Sequence, residues 1–265
     1  MLTLLSPAKN MNFDPVLRDL PATTPALIEE TRILSAHTRA LTTSKIKSLM
    51  GISADLAKLN RERFQAFDAE KPGEKQAALA FNGEVYRGLD ADSMSDEDLA
   101  YAQDHLRILS GMYGALRPLD AIHPYRLEMG RKLHTRRGEK LYDFWGDLIA
   151  KHLNDLQADE DEPVILNLAS KEYFKAADRK SLKARVITAN FSEEKDGQRR
   201  VLMVYAKKAR GQMARWVMEN RIEDPKDLKS FAVEGYEIDR ARSTAGTLEF
   251  VRDQPELKSG PKKAA

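Results

Sequence analysis

Between Leu109 and Gly130 the chain reads LSGMYGALRPLDAIHPYRLEMG, and no other stretch limits the fold as much. Its apolar residues keep neither the period of two that a strand shows nor the 3.6 of a helix. Three glycines and two prolines interrupt it. Its aromatic and aliphatic anchors, among them Met112, Tyr113, Ile122 and Tyr125, argue against disorder. Long ordered segments without regular structure are usually functional in compact domains. This one also carries Arg117, Asp120, Arg126 and Glu128.

The rest of the chain must supply regular elements around it. LTLL after Met1 reads as a short buried strand ending at Ser6-Pro7. Thr24-Pro25 looks like an N-cap followed by proline at the first helical position, with Leu27, Thr31, Leu34, Thr38 and Leu41 continuing at helical spacing. Ser53 suits a cap for a helix with Leu56, Leu59, Phe64 and Phe67 inside. Ser95 and Asp98 open another helix through Leu99, Ala102, Leu106 and Leu109, although LRILSG also reads as a strand. Leu141 to Leu156 marks a long helix closed by the acidic ADEDE.

Downstream, PVILNLAS suits a central strand. ARVITANF and RRVLMVYA flank Asp196-Gly197 as a hairpin, and FAVEGYEI and TLEFVR read as further strands. The expectation is one α+β domain over residues 1–252, with a mixed sheet built from distant segments and surrounding helices, and a disordered tail over residues 253–265.

Composition matters mainly for what it excludes. At 42% hydrophobic and 32% charged residues, the chain of 265 is an ordinary globular protein able to bury a sizeable core. It contains no cysteine, which removes disulfides, thiolate metal sites and thiol redox chemistry and suits a reducing cytoplasm. The start is too briefly apolar for a signal peptide, and no run is long enough to span a membrane. Five histidines (His37, His105, His123, His134, His152) show no paired ligand spacing, so no metal site and no cofactor is expected. Walker A, dinucleotide and His-Glu-x-x-His patterns are missing. Ser-x-x-Lys at Ser6 to Lys9 recurs at Ser44 and Ser192 and is uninformative alone, but Lys9 follows the first strand, a common site location.

Charge is segregated, which favours a polyanion partner more than the net +2 does. Arg199, Arg200, Lys207, Lys208, Arg210 and Arg215 fall in one segment without an acid. On a helix, Ala209, Met213 and Trp216 form the apolar stripe, and Lys208, Gly211 and Arg215 lie opposite, with the glycine open to a phosphate. A solvated helix face explains the same residues. A second cluster holds Arg131, Lys132, Arg136, Arg137 and Lys140. Between Leu41 and Leu59, with Lys45 and Lys47 alongside, Met50, Gly51 and Ile52 fit a helix-hairpin-helix turn that offers backbone N–H groups to a phosphate. Ser53 stands where a second glycine is usual, and an ordinary helical hairpin uses the same residues.

Seven ordered blocks, LSPAK, FNGEVYRGL, the opening stretch, LYDFWGD, LNLASKEYFK, YAKKARGQMAR and EGY, resemble the YaaA family of bacterial peroxide-stress proteins over residues 1 to about 252. The resemblance implies a cytoplasmic protein that limits oxidative damage and lowers free iron. It also implies a single-domain fold with a basic cleft, a helix-hairpin-helix at residues 41–57, and binding to double-stranded or branched DNA. It brings no agreed catalytic residues.

Three functions follow. The first is DNA binding without strong sequence specificity through Lys45, Lys47, Gly51, Ser53, Arg131, Arg136, Arg137, Lys207, Lys208, Arg210 and Arg215. The second is an enzyme acting on a small anion in a cleft formed by Lys9, Tyr86, Arg117, Asp120, Arg126, Glu128, Asn167, Glu172 and Lys208. The third is a scaffold that shares DNA with recombination-repair proteins.

Overall fold

The computed structural model describes residues 1–16 and 18–255. In chain order, β1 (Leu2–Leu5) and β2 (Asn10–Met11) precede helices α1 (Ile28–Arg39), α2 (Thr43–Met50) and α3 (Ala54–Ala66). Next come β3 (Lys75–Gln76), α4 (Ala77–Ala80), β4 (Phe81–Asn82), α5 (Glu84–Leu89), α6 (Asp96–His105), β5 (Leu106–Ser110), β6 (Gly114–Leu116) and β7 (Ala121–Ile122). The second half holds α7 (Leu141–Trp145), α8 (Leu148–Asp155), β8 (Val164–Asn167), α9 (Lys171–Phe174), β9 (Arg185–Lys195), β10 (Gln198–Arg200), α10 (Met203–Glu219), β11 (Glu237–Ile238) and β12 (Thr247–Asp253).

Apolar runs make the middle of the main sheet. LTLL in β1 and VILN in β8 are buried at every residue, as strands covered on both faces must be. The sheet order is β11-β12-β9-β8-β1-β5-β6, with β10 paired to β9. β12, β9, β8, β1 and β5 run parallel, and β6, β10 and β11 are antiparallel additions. The expected mixed sheet is therefore mostly parallel. From β1 the chain moves to β5 on one side, and β8 then returns to the other side of β1 and continues to β9. The connections thus diverge between β1 and β8. Ligands of open parallel sheets bind at such a point, outside the carboxyl ends of the strands.

Several local expectations change. α1 starts at Ile28, not after Thr24-Pro25, and its cap Leu27 gives no side-chain hydrogen bond. Thr24 instead offers its carbonyl to Arg117 at 2.9 Å. Leu56 and Leu59 are 42% and 40% exposed, because α3 turns Ala57, Asn60 and Phe64 inward. Leu106 and Leu109 belong to β5, the strand reading, and α6 stops at His105. The long helix from Leu141 is broken at Gly146, whose φ of 47° leaves the helical region and separates α7 from α8. RRVLMVYA is not a strand beyond Arg200, because Glu193 accepts the Leu202 N–H at 3.2 Å and the chain turns into α10. FAVEGYEI forms tight turns and pairs only at Glu237–Ile238.

Other readings hold. Ser53 and Ser95 cap α3 and α6. Asp196 and Gly197 both have positive φ, 53° and 71°, as a tight hairpin turn requires. β12 runs through Asp253, where the tail was expected to begin, and residues 256–265 lie outside the described residues.

The opening stretch is almost wholly buried. Ser110 exchanges a 2.6 Å hydrogen bond with the Tyr125 hydroxyl and accepts the Met112 and Tyr113 N–H groups. The Tyr113 hydroxyl accepts the His123 N–H at 2.9 Å. The stretch is not irregular throughout, since β6 pairs with β5 and β7 with β3. Polar tips of buried side chains satisfy backbone groups in the turns beside these strands.

Candidate functional site

A cleft of about 400 Å³ opens at the carboxyl ends of β1 and β8. Ser6 to Asn10 follow β1 into it, and Leu168, Ser170, Glu172 and Tyr173 follow β8. The Ser6 hydroxyl accepts the Ser170 N–H at 2.8 Å and locks the two exits together. Asn82 to Val85 form another wall, and α10 closes the space with Met203, Lys207 and Arg210. Those three are spaced i, i+4, i+7 and share one helix face.

The position of α10 depends on two glycines. A Cβ at Gly211 would stand 1.8 Å from the Val85 carbonyl, and one at Gly88 would stand 2.1 Å from the Lys208 carbonyl. The α5 and α10 backbones therefore touch. The expectation that Gly211 lies open to a phosphate is corrected: it is buried in a helix crossing.

Glu128 forms the most buried charged group of the cleft, at 4% exposure. Its Oε1 accepts from Arg126 and Arg131 at 3.1 Å each, and Lys9 lies 4.0 Å away. Burial pushes the carboxyl pKa up, but Arg131 and Arg126 outweigh it and hold it below the ordinary value. Its Oε2 is buried with no partner among the described residues. Glu172 accepts the Gly130 N–H at 2.9 Å. Arg210 is half-buried, its Nε has no partner among the described residues, and burial lowers its pKa. Lys207 is exposed at the rim.

The cleft residues read from sequence separate into groups. Lys9, Glu128 and Glu172 meet in the cleft, and Arg126 supports Glu128. The Tyr86 hydroxyl donates to the Ser6 carbonyl at 3.0 Å, behind the wall. Asn167 accepts the Ala169 N–H and donates to Thr188, shaping the β8 exit without lining the space. Arg117 and Asp120 pair with each other at 3.0 Å and with Thr24 and Thr23, so they stiffen the α1 approach and stand apart from the cleft. Lys208 leaves it for an ion pair with Glu234.

The expected basic helix face also divides. Arg215 is held by Asp90 at 3.3 Å and Glu219 at 2.7 Å, Arg199 by Asp239 at 2.8 Å, and Arg137 by Glu30 at 2.6 Å. Lys207 and Arg210 face the cleft instead. Lys45, Lys47 and Arg136 remain exposed. α2 and α3 form a helical hairpin at Gly51, whose φ is 63°, and the Ser53 hydroxyl takes the Leu56 N–H. Arg131 connects this hairpin to the cleft, reaching the Leu49 carbonyl at 3.4 Å and Glu128 at 3.1 Å.

Sequence reasoning missed Asn82, Ser170 and Met203, and set Ser6 aside as part of a recurrent Ser-x-x-Lys pattern. A polar residue directly after each apolar run, as in LTLLS and LNLAS, was the available signal for the two serines. Among the described residues, no cluster of three His, Asp or Glu could hold a metal ion, and no helix is long and apolar enough to cross a membrane.

A family model described as "Peroxide stress protein YaaA" matches residues 1–242. A UPF0246 protein of Maricaulis maris is 73% identical over 255 residues, covering 96% of this chain and 97% of the relative. UPF0246 proteins of Caulobacter vibrioides (strain NA1000 / CB15N) and Phenylobacterium zucineum are 51% and 50% identical, again over 96% of this chain and 100% and 96% of theirs.

Proposed function

The chain belongs to the peroxide stress protein YaaA family, and from that premise we propose that it binds double-stranded or branched DNA without strong sequence specificity, limiting iron-dependent oxidative damage where DNA is occupied. The observation that carries the reading is Arg131. One guanidinium reaches both Glu128 in the cleft and the Leu49 carbonyl near the end of α2, the helix that carries Lys45 and Lys47. Lys45, Lys47 and Arg136 then contact phosphates on the outside, and Lys207 extends the contact at the rim. Protection of this kind is physical, since a chain without cysteine has no thiol to reduce peroxide.

Duplex binding across a salt series tests it. Each phosphate contact contributes about 0.9 to the slope of log affinity against log salt. Lys45→Ala with Lys47→Ala should flatten the slope by about 1.8. Arg215→Ala, already neutralised by Asp90 and Glu219, should leave it unchanged. Salt-insensitive binding, or none at moderate salt, sinks the reading.

A second reading, an enzyme acting on a small anionic substrate, is supported by the Lys9 amine beside the buried Glu128 carboxylate. An amine and a carboxylate facing one space can exchange a proton with a bound group.

A further inference from the structure

We infer that the cleft binds a single phosphorylated nucleoside unit, with its phosphate on Arg210 and Lys207 and one of its hydrogen-bond donors on Glu128. For a nucleotide at a strand end this rests on the DNA reading above; for a free mononucleotide it stands apart from it.

Arg210 supplies the first argument. A guanidinium withdrawn from water is costly unless an anion compensates it. Every other arginine that was a site candidate has a carboxylate or a carbonyl against it, or lies exposed. Among the described residues, Arg210 has neither a partner for its buried Nε nor an acid to offset the effect of burial. Its planar fork matches a phosphate, and Lys207 on the same helix face adds a second positive charge at the mouth.

Glu128 supplies the second. Backbone phosphates of a duplex carry acceptors only, and a buried carboxylate would repel them. Glu128 nevertheless presents an unpartnered Oε2, and buried acceptors are almost always given a donor. A ligand that combines an anion with a hydroxyl or amino donor would satisfy both groups at once. A phosphate attached to a sugar and base has both. Inorganic phosphate has its own hydroxyl but no sugar or base to carry a donor away from the anion.

Size and lining fit the same class. About 400 Å³ lies within the range of small-molecule sites. Val85, Leu168 and Met203 give apolar surface for a sugar or base, and Met203 is 56% exposed at the mouth. The cleft also occupies the divergence point of the parallel sheet, where this architecture binds ligands.

The experiment is calorimetric titration of the full chain with each 2′-deoxynucleoside 5′-monophosphate and with inorganic phosphate. Wild type, Lys207→Ala and Arg210→Gln are compared, with thermal unfolding to check each variant. Lys207 is exposed, so its truncation tests the site even if Arg210→Gln misfolds. At least one mononucleotide should bind tenfold or more tightly than inorganic phosphate, and the folded variants should lose tenfold or more. Mononucleotide binding no tighter than inorganic phosphate, or unchanged in both variants, overturns the inference. Competition by a duplex with a 5′-phosphorylated single-stranded overhang, absent with a blunt duplex lacking 5′-phosphates, identifies a strand end as the source. Absence of competition with mononucleotide bound identifies the free nucleotide, and both support the site. If mononucleotide binds and no duplex does, only the DNA reading fails. If duplex binds with its salt slope and mononucleotide does not, only this inference fails.

Discussion

Glu128 shows how one residue can be polar, buried and charged together. Two arginines hydrogen-bond a single oxygen, which offsets the desolvation of the whole carboxylate. Because its folded pKa is lowered from 4.5, the carboxylate adds stability that is complete above the unfolded value, near 4.5. That stability disappears as pH falls through the lower folded value. Glu128→Gln should therefore be less stable at neutral pH by about 1–3 kcal/mol, with Arg126 and Arg131 left facing a neutral group. Its deficit should shrink as the pH drops below about 4.5. Urea unfolding at pH 7 and pH 4 measures both, and a deficit that stays constant would contradict the assignment. Sequence placed Glu128 among the candidates but could not separate it from Asp120, since both are acids following an arginine in the same irregular segment. What separates them is surroundings: Asp120 is consumed by Arg117 and Thr23, and Glu128 keeps an oxygen to spare.

At the scale of elements, α10 is legible as a helix and illegible as a surface. Its apolar spacing correctly buries Ala209 and Met213. The same spacing puts Gly211 on the other side, where a lone helix would show it to solvent. α5 covers that side, so what reads as an open glycine is a point of backbone contact. Gly211→Ala should thus be destabilising by about 1–3 kcal/mol or more, since backbone atoms cannot rotate out of the way as a side chain can. Helix propensity alone would give the opposite sign, a gain of about 1 kcal/mol. The midpoint of thermal unfolding decides between them, and a rise would disprove the tight crossing. Because the cleft-lining face of α10 is set by this crossing, mononucleotide affinity should fall in the same variant.

For the whole molecule, β1 is the strand on which the rest depends. It lies between β8 and β5, its Leu4 is fully buried, and its end delivers Ser6 and Lys9 to the cleft. Leu4→Ala should cost about 2–5 kcal/mol by leaving a cavity where neighbouring strands cannot collapse. A shift in the denaturant midpoint without a change in slope would show lost stability with an intact native state. A cost under about 1 kcal/mol would mean that the centre of the sheet relaxes, contrary to its close packing.

Local chemistry determined a good deal by itself: buried strands from apolar runs, helix starts from Ser53 and Ser95, the hairpin from Asp196-Gly197 and the family from its ordered blocks. These rest on contacts within a few residues, which are written in the order of the chain. Tertiary structure alone decided which charges are free. Arg215, Lys208 and Arg137 find Asp90, Glu234 and Glu30 from remote segments, and Arg210 finds no acid among the described residues. Ion pairing depends on distance in space, and strand order brings those segments together or keeps them apart.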